Sequence, residues 1–228
     1  MRMLPTQRTL VDQVYGELLA AITDGQLRPN ERLIQDELAA KLGVSRQPVQ
    51  QALLLLRNDG LVTSAAGRGL VVASVDAEKA RQLYEIRAVI EGLAARLSTE
   101  HGGERARIPG AEIVAAGRAA VAAGSVARMI KADLELHRLL YALSGNPLIA
   151  QTTEPHWRHM GRIMGEVLTG SDMPDRIWDQ HEAIIAAVVA GDAARAERLS
   201  RQHITEAAVL FLDRLGTGTA SSMLETLR

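Results

Sequence analysis

The segment from Gly43 to Val62 constrains this chain more than any other, because it spells a turn, a capped helix, a stop and the start of a strand in direct succession. Gly43 can take the left-handed conformation that ends a preceding helix. Ser45 is a good N-cap residue, and Pro48 falls in the first turn, where a missing N–H costs no hydrogen bond. Val49, Ala52, Leu53 and Leu56 recur at helical spacing, Gly60 stops the helix, and Leu61-Val62-Thr63 reads as extended. Arg46, Gln47, Gln50 and Gln51 are left at the N-terminal end, where a recognition helix presents side chains to base edges in the major groove. An ordinary amphipathic helix with a polar rim fits the same residues, so the flanks have to decide.

Thr9 to Ile22 carries Leu10, Val14, Leu18 and Ile22 on one stripe and stops at Gly25. Ile34 to Leu42 gives a second short helix, with Leu38 and Leu42 on its apolar side. After the third helix, Leu61–Thr63 and Leu70–Val72 flank the turn Ala65-Ala66-Gly67-Arg68-Gly69, the pattern of a β-hairpin. Three helices followed by a hairpin make a winged helix-turn-helix. Arg68 then falls at the wing tip, within reach of a phosphate or the minor groove. The net charge of the chain is −1, and residues 1–75 hold eight Lys/Arg against seven Asp/Glu. DNA binding must therefore rest on a local cluster, Arg32, Arg46 and Arg68 with Arg8, and depend steeply on salt.

Beyond Asp76 the sequence reads as helix, over about 76–98, 110–123, 125–144, 146–169, 174–190 and 192–215. Gly102-Gly103, Pro109-Gly110, Gly124, Gly145-Asn146-Pro147, Gly170 and Gly191-Asp192 set the boundaries. The expected fold class is mainly α: a winged helix-turn-helix DNA-binding domain over 1–73, then an all-α six-helix bundle over 76–215. A short linker spans Ala73 to Asp76, and residues 216–228 are expected to be a flexible tail. A hydrophobic content of 47% with only 3% aromatic suits an aliphatic bundle interior. With no cysteine, disulfides and thiolate metal sites are excluded. No run of eighteen apolar residues and no signal-like apolar stretch occurs, so a cytoplasmic protein with no membrane partner is expected.

The chemistry-bearing residues lie in the second half. Asp133 and His137, four apart on one helix, share a face. His181 precedes Ile184, Ile185 and Val188, and His203 lies between Leu199 and Ile204. A carboxylate and three imidazoles converging inside a bundle make a divalent-metal site with open positions. Taken singly, each histidine is also explained as a hydrogen-bonded core or surface residue. His101 falls in a Gly-rich loop and is expected to be solvated, whereas His156 and His159 are pocket candidates without comparable spacing.

The first seventy-five or so residues closely resemble the N-terminal domain of the GntR family of bacterial transcription regulators. The matching residues are Ile22-x-x-Gly25-x-Leu27-x-Pro29-x-Glu31-Arg32-Leu33, Glu37-Leu38-Ala39, Leu42-Gly-Val-Ser-Arg46-x-Pro48-Val49, Ala52-Leu53, Leu56, Gly60-Leu61-Val62 and Gly67-Arg68-Gly69. Asn30 replaces a usual Gly but tolerates the same left-handed turn. Gln50 replaces a common Arg, exchanging charge for an amide that pairs with adenine. The candidate DNA contacts are therefore Arg32, Ser45, Arg46, Gln47, Gln50, Arg68 and Gly69. The remainder resembles the FCD effector domain of the FadR subgroup, through Tyr84-Glu85-x-Arg87-x-x-x-Glu91-x-x-Ala94-Ala95-Arg96-Leu97, Asp133-x-x-x-His137-x-x-Leu140, Ser144-Gly145-Asn146, His181-x-x-Ile184, Ala190-Gly191-Asp192, Ala196 and His203-Ile204. Leu136 stands where the family commonly has Phe, a packing change.

This resemblance implies that Asp133, His137, His181 and His203 bind one divalent ion, zinc foremost, with nickel or manganese as alternatives. It implies a homodimer that grips double-stranded operator DNA, as a repressor, and that a small organic acid bound beside the metal changes that grip. Arg87 is the family's inward-facing candidate for holding the acid, although a salt bridge to a neighbouring helix explains it equally. Arg158 and Arg162, near Trp157, are further effector candidates. Two other classes compete: a helical metalloenzyme fused to a DNA-binding domain, and a DNA-binding protein whose bundle only dimerises. No catalytic residue is assigned. Glu182, next to His181, is turned about 100° away on a helix and so faces off the site.

Overall fold

The computed structural model of the chain describes residues 9–23, 25–67, 69–74, 76–168 and 173–215, without the side chains of 155, 158, 159, 162 and 165–168. It divides into two compact units, Met1–Val75 and Asp76–Arg228.

In the first unit, α1 (Leu10–Thr23), α2 (Gln35–Leu42) and α3 (Arg46–Asn58) are followed by β1 (Val62–Ala65) and β2 (Gly69–Val72). The strands pair antiparallel in the register Val62↔Val72 to Ala65↔Gly69. This is the winged helix-turn-helix that the sequence pattern predicts, with two additions. The hairpin runs two residues past Thr63, because the turn tightens onto Ala66-Gly67. Arg32 also bridges Val71, with Leu33 N–H donating to the Leu70 carbonyl at 2.9 Å, so the segment before α2 lengthens the sheet edge. Gly43 (φ 66) ends α2 in the left-handed conformation, and Asn30 (φ 64) adopts the same region. Ser45 has N-cap backbone angles, but its hydroxyl makes no capping bond. The core closes on Val14, Leu18, Ile22, Val49, Ala52, Leu53 and Leu56; each fully buried Leu or Ile contributes roughly 1.5–3 kcal/mol. Leu10 does not join them. It lies in the first turn of α1 and is 49% exposed, past the end of the core.

The second unit runs α4 (Ala77–Glu100), a 3₁₀ turn (Gly103–Ala106), α5 (Arg107–Ala122), α6 (Val126–Leu143), α7 (Pro147–Leu168), α8 (Met173–Val189) and α9 (Ala193–Arg214). Asp76 caps α4 by accepting from the N–H groups of Glu78 (2.9 Å) and Lys79 (3.1 Å). The helix expected from Gly110 begins at Arg107 instead: Pro109 sits in its first turn, where its missing N–H breaks no bond, so Pro-Gly is no stop here. His101 is exposed, as expected, and its Nδ1 in addition meets the Ser144 carbonyl at 2.6 Å. Gly117 on α5 lets α8 approach: a Cβ there would lie 2.2 Å from the Trp178 ring. The apolar interior gathers Leu136, Leu140, Trp178, Ile184 and Val188. Among the described residues, no helix is long and apolar enough to cross a membrane.

Candidate metal centre

Asp133 and His137 on α6, His181 on α8 and His203 on α9 come together as predicted, each buried, with candidate ligand atoms all within 4.8 Å of one another. Burial of four such groups is costly unless they are paired or coordinate a cation. His181 Nε2 lies 3.1 Å from His203 Nε2 and 3.3 Å from an Asp133 oxygen, and His137 Nε2 lies 3.6 Å from the other oxygen. Neighbouring ligands around an ion with bonds of about 2.0–2.1 Å sit roughly 3.0–3.4 Å apart, so these spacings fit a first-row divalent metal after small adjustment.

The ring of partners behind the cluster strengthens that fit. His137 Nδ1–H donates to Glu91 at 2.8 Å, leaving its Nε2 lone pair toward the centre. His203 Nδ1 faces the Gln180 side-chain oxygen at 2.8 Å, with the same consequence. His181 Nδ1 is buried without a partner among the described residues. Burial, with the neighbouring His203, His137 and Arg87, keeps His181 neutral well below its usual range. Burial does the same to His203, with help from His137 and Arg87, lowering it to about 3. Burial raises the Asp133 carboxyl, an effect that His137 and Arg87 only partly oppose. Two neutral imidazoles thus turn Nε2 atoms toward each other beside a carboxylate, a donor set suited to a borderline cation.

Arg87 lies beside the cluster, its Nη2 3.5 Å from His137 Nε2. It also pairs with Glu91 at 3.2 Å and stacks over Trp157 at 4.6 Å, so among the described residues its ion pair is made within α4. Glu91 is fully buried, accepting from His137, Arg87 and Tyr141. Burial alone would raise its carboxyl, but these donors hold it down at about 2. Tyr84, Arg87, Asp133, His137, Ile177 and His203 are among the residues lining a small cavity of about 20 Å³. The side chains of Arg158, Arg162 and His159 lie outside the described residues, as do Arg8, Arg68, Gly170 and the tail 216–228. Glu182 is exposed and accepts from Arg118 at 2.6 Å, turned away from the cluster. Glu91 belongs to the family pattern, which does not tell its role, while Gln180 and Glu206 carried no distinguishing signal in the sequence, since their roles depend on which helices pack side by side.

On the first unit, Arg32, Ser45, Arg46, Gln47, Gln50 and Gly69 are all solvent-exposed. Arg46 Nε donates to Gln35 at 3.1 Å, and its Nη1 lies 3.6 Å from Asp36. Gln35, Gln47, Gln50 and Gln51 border a surface groove that also meets Leu54 and Arg57.

A winged helix-turn-helix followed by a helical bundle is the architecture of a transcription regulator, and comparison with known proteins makes the class specific. Residues 4–72 match the model for bacterial regulatory proteins of the gntR family, and residues 82–206 match the FCD domain. The chain belongs to the FCD-domain branch of the GntR family and is a DNA-binding transcription regulator of that type. It is similar to the Bacillus subtilis HTH-type transcriptional regulator YdhC, with 27% identity over 196 residues and 84% of each chain covered. The Escherichia coli HTH-type transcriptional repressor GlaR is 26% identical over 201 residues, covering 83% of this chain and 90% of that one. The structure of E. coli McbR/YncC shares the fold, with a TM-score of 0.74 at 22% identity over 92% of this chain and all of that one (100%). A regulator from Rhodococcus sp. RHA1 superposes with a TM-score of 0.73 at 25% identity, covering 89% of this chain and 97% of that one.

Proposed function

We propose that this regulator holds one divalent ion on Asp133, His137, His181 and His203, and that a small organic acid bound at that centre governs its grip on operator DNA. The observation that carries the proposal is the buried facing of His181 Nε2 and His203 Nε2 at 3.1 Å, beside the Asp133 carboxylate. Buried imidazoles and a carboxylate are costly unless their polar atoms are satisfied, and one cation between them would satisfy the facing Nε2 atoms and the carboxylate together. Three nitrogens and one oxygen favour zinc, then nickel or manganese, over magnesium and calcium, which prefer all-oxygen shells. The bound ion would supply a Lewis-acidic centre with positions open to carboxylate oxygens. Arg87, on the cavity wall, would neutralise a second acidic group of the ligand. Arg158 and Arg162 on α7 are the further candidates for that wall.

Residues 1–73 act as the DNA-binding domain in this reading, and 76–215 as the effector-binding and dimerisation domain. Arg46, Gln47 and Gln50 at the start of α3 read bases, while Arg32, Ser45, Arg68 and Gly69 approach the backbone or the minor groove. A homodimer on an inverted-repeat operator is favoured by the apolar stripe that α4 leaves outward, with Ile86 51% and Val89 49% exposed. Repression is favoured by the similarity to GlaR, a transcriptional repressor. A thermal-shift screen of small mono- and dicarboxylic acids, with and without chelator, tests the reading. Stabilisation by an acid should vanish when the metal is removed; stabilisation that survives chelation would refute metal-assisted binding.

A further inference from the structure

We propose that Gln180 and Glu206 form a relay that dictates which ring nitrogen of His203 carries its hydrogen, and thereby makes His203 competent as a metal ligand. The inference rests on the metal reading above but concerns two residues that lie outside the ligand set. Gln180 precedes His181 on α8, and Glu206 follows His203 by one turn on α9. The Gln180 amide donates to a Glu206 oxygen at 2.6 Å. Glu206 is itself held by Gln202, which donates at 2.7 Å, and by Arg176 at 3.3 Å.

The logic is one of donors and acceptors. A carboxylate only accepts, so the amide nitrogen of Gln180 must face Glu206. The amide oxygen is then what faces His203 Nδ1 at 2.8 Å. An oxygen there requires Nδ1 to carry the hydrogen, and a neutral imidazole has only one, so Nε2 is left with its lone pair toward the cluster. His137 obtains the same tautomer directly from the Glu91 carboxylate at 2.8 Å. His203 obtains it at one remove, from a carboxylate that is partly exposed, its side chain 29% accessible. Gln180 and Glu206 are therefore positioning residues.

Reversing the relay tests it. Glu206→Lys places a donor where an acceptor stood, so Gln180 must turn its oxygen toward the lysine and its N–H groups toward His203. Ring tautomers are read by long-range 1H–15N NMR on the metal-free full-length chain, and zinc affinity by competition with a chromogenic chelator. We expect the Nδ1–H tautomer of His203 in the wild type and the Nε2–H tautomer in Glu206→Lys, with zinc affinity lowered about 10- to 100-fold, the usual effect of losing an outer partner. Adding Gln180→Glu to Glu206→Lys sets a carboxylate between two donors, which should restore both the Nδ1–H tautomer and most of the affinity. A merely structural loss would not be recovered by that second change. An unaltered tautomer and affinity in Glu206→Lys, or a double variant no better than the single one, overturns the relay. If the tautomers switch as expected while the wild type binds no divalent ion, the relay stands and the metal reading falls.

Discussion

Replacing Glu91 by Gln should destabilise the bundle far more than the same change at Glu100, although both residues make an i,i+4 ion pair on α4. Arg87–Glu91 spans 3.2 Å with both side chains buried, whereas Arg96–Glu100 spans 3.0 Å with side chains 38% and 42% exposed. An exposed pair of this kind contributes about 0–1 kcal/mol, because water screens it and solvates either partner left alone. Breaking the buried pair strands the Arg87 cation and sets an amide N–H against one of the three donors that converge on Glu91, at a cost of about 3–5 kcal/mol. The depressed acidity gives an independent figure. A carboxyl lowered from 4.5 to about 2 is worth about 3 kcal/mol, present above pH 4.5 and lost as the pH falls toward 2, because the unfolded chain protonates first. The chain's two tryptophans, Trp157 and Trp178, both lie in the bundle, so their fluorescence reports its unfolding without signal from the winged unit. Urea titration of the metal-free variants measures the difference. A Glu91→Gln penalty no larger than that of Glu100→Gln would refute the reasoning that burial decides the worth of this pair.

Gly117→Ala forces a methyl to within 2.2 Å of the Trp178 ring, and overpacking at about 1–3 kcal/mol should appear in the same urea titration; an unchanged midpoint would mean that α5 can retreat freely. The metal-free protein should lose stability as the pH falls from about 6.5, since the unfolded chain takes up protons that buried His181 and His203 refuse, the latter down to about 3. Tryptophan-detected melting between neutral and mildly acidic pH checks this, and a melting temperature that rises on acidification contradicts it. Arg46→Ala should cost about 1–3 kcal/mol of specific operator binding with the melting temperature unchanged. Operator affinity equal to wild type at moderate salt would remove Arg46 from the contact set.

Much of the fold was legible because local rules and tertiary packing agree. Gly43, Pro48 and Gly60 punctuate α3 where its apolar spacing begins and ends, and Asn30 and Gly43 take the left-handed conformations their positions demand. Disagreement arises where one signal has two meanings. Pro109-Gly110 reads as a break but opens a helix, and Leu10 fits a stripe whose core ends before reaching it. The four clustered side chains were legible from an i,i+4 pair and the family pattern of the later histidines. Their supports were not. Glu91 stands in the family pattern but its partner His137 does not follow from it, and Gln180 looks like an ordinary surface-type residue, until α4 lies beside α6 and α8 beside α9, and those pairings are properties of the whole bundle.

The central claim is that Asp133, His137, His181 and His203 hold one divalent ion. Elemental analysis by mass spectrometry, after chelation, reconstitution with a mixture of zinc, nickel and manganese, and exhaustive dialysis, tests it most directly. We expect one ion per chain, predominantly zinc, in the wild type, and its loss in His203→Ala while the winged unit still binds DNA. A wild type that retains no ion, or a His203→Ala variant that retains as much as the wild type, would contradict it.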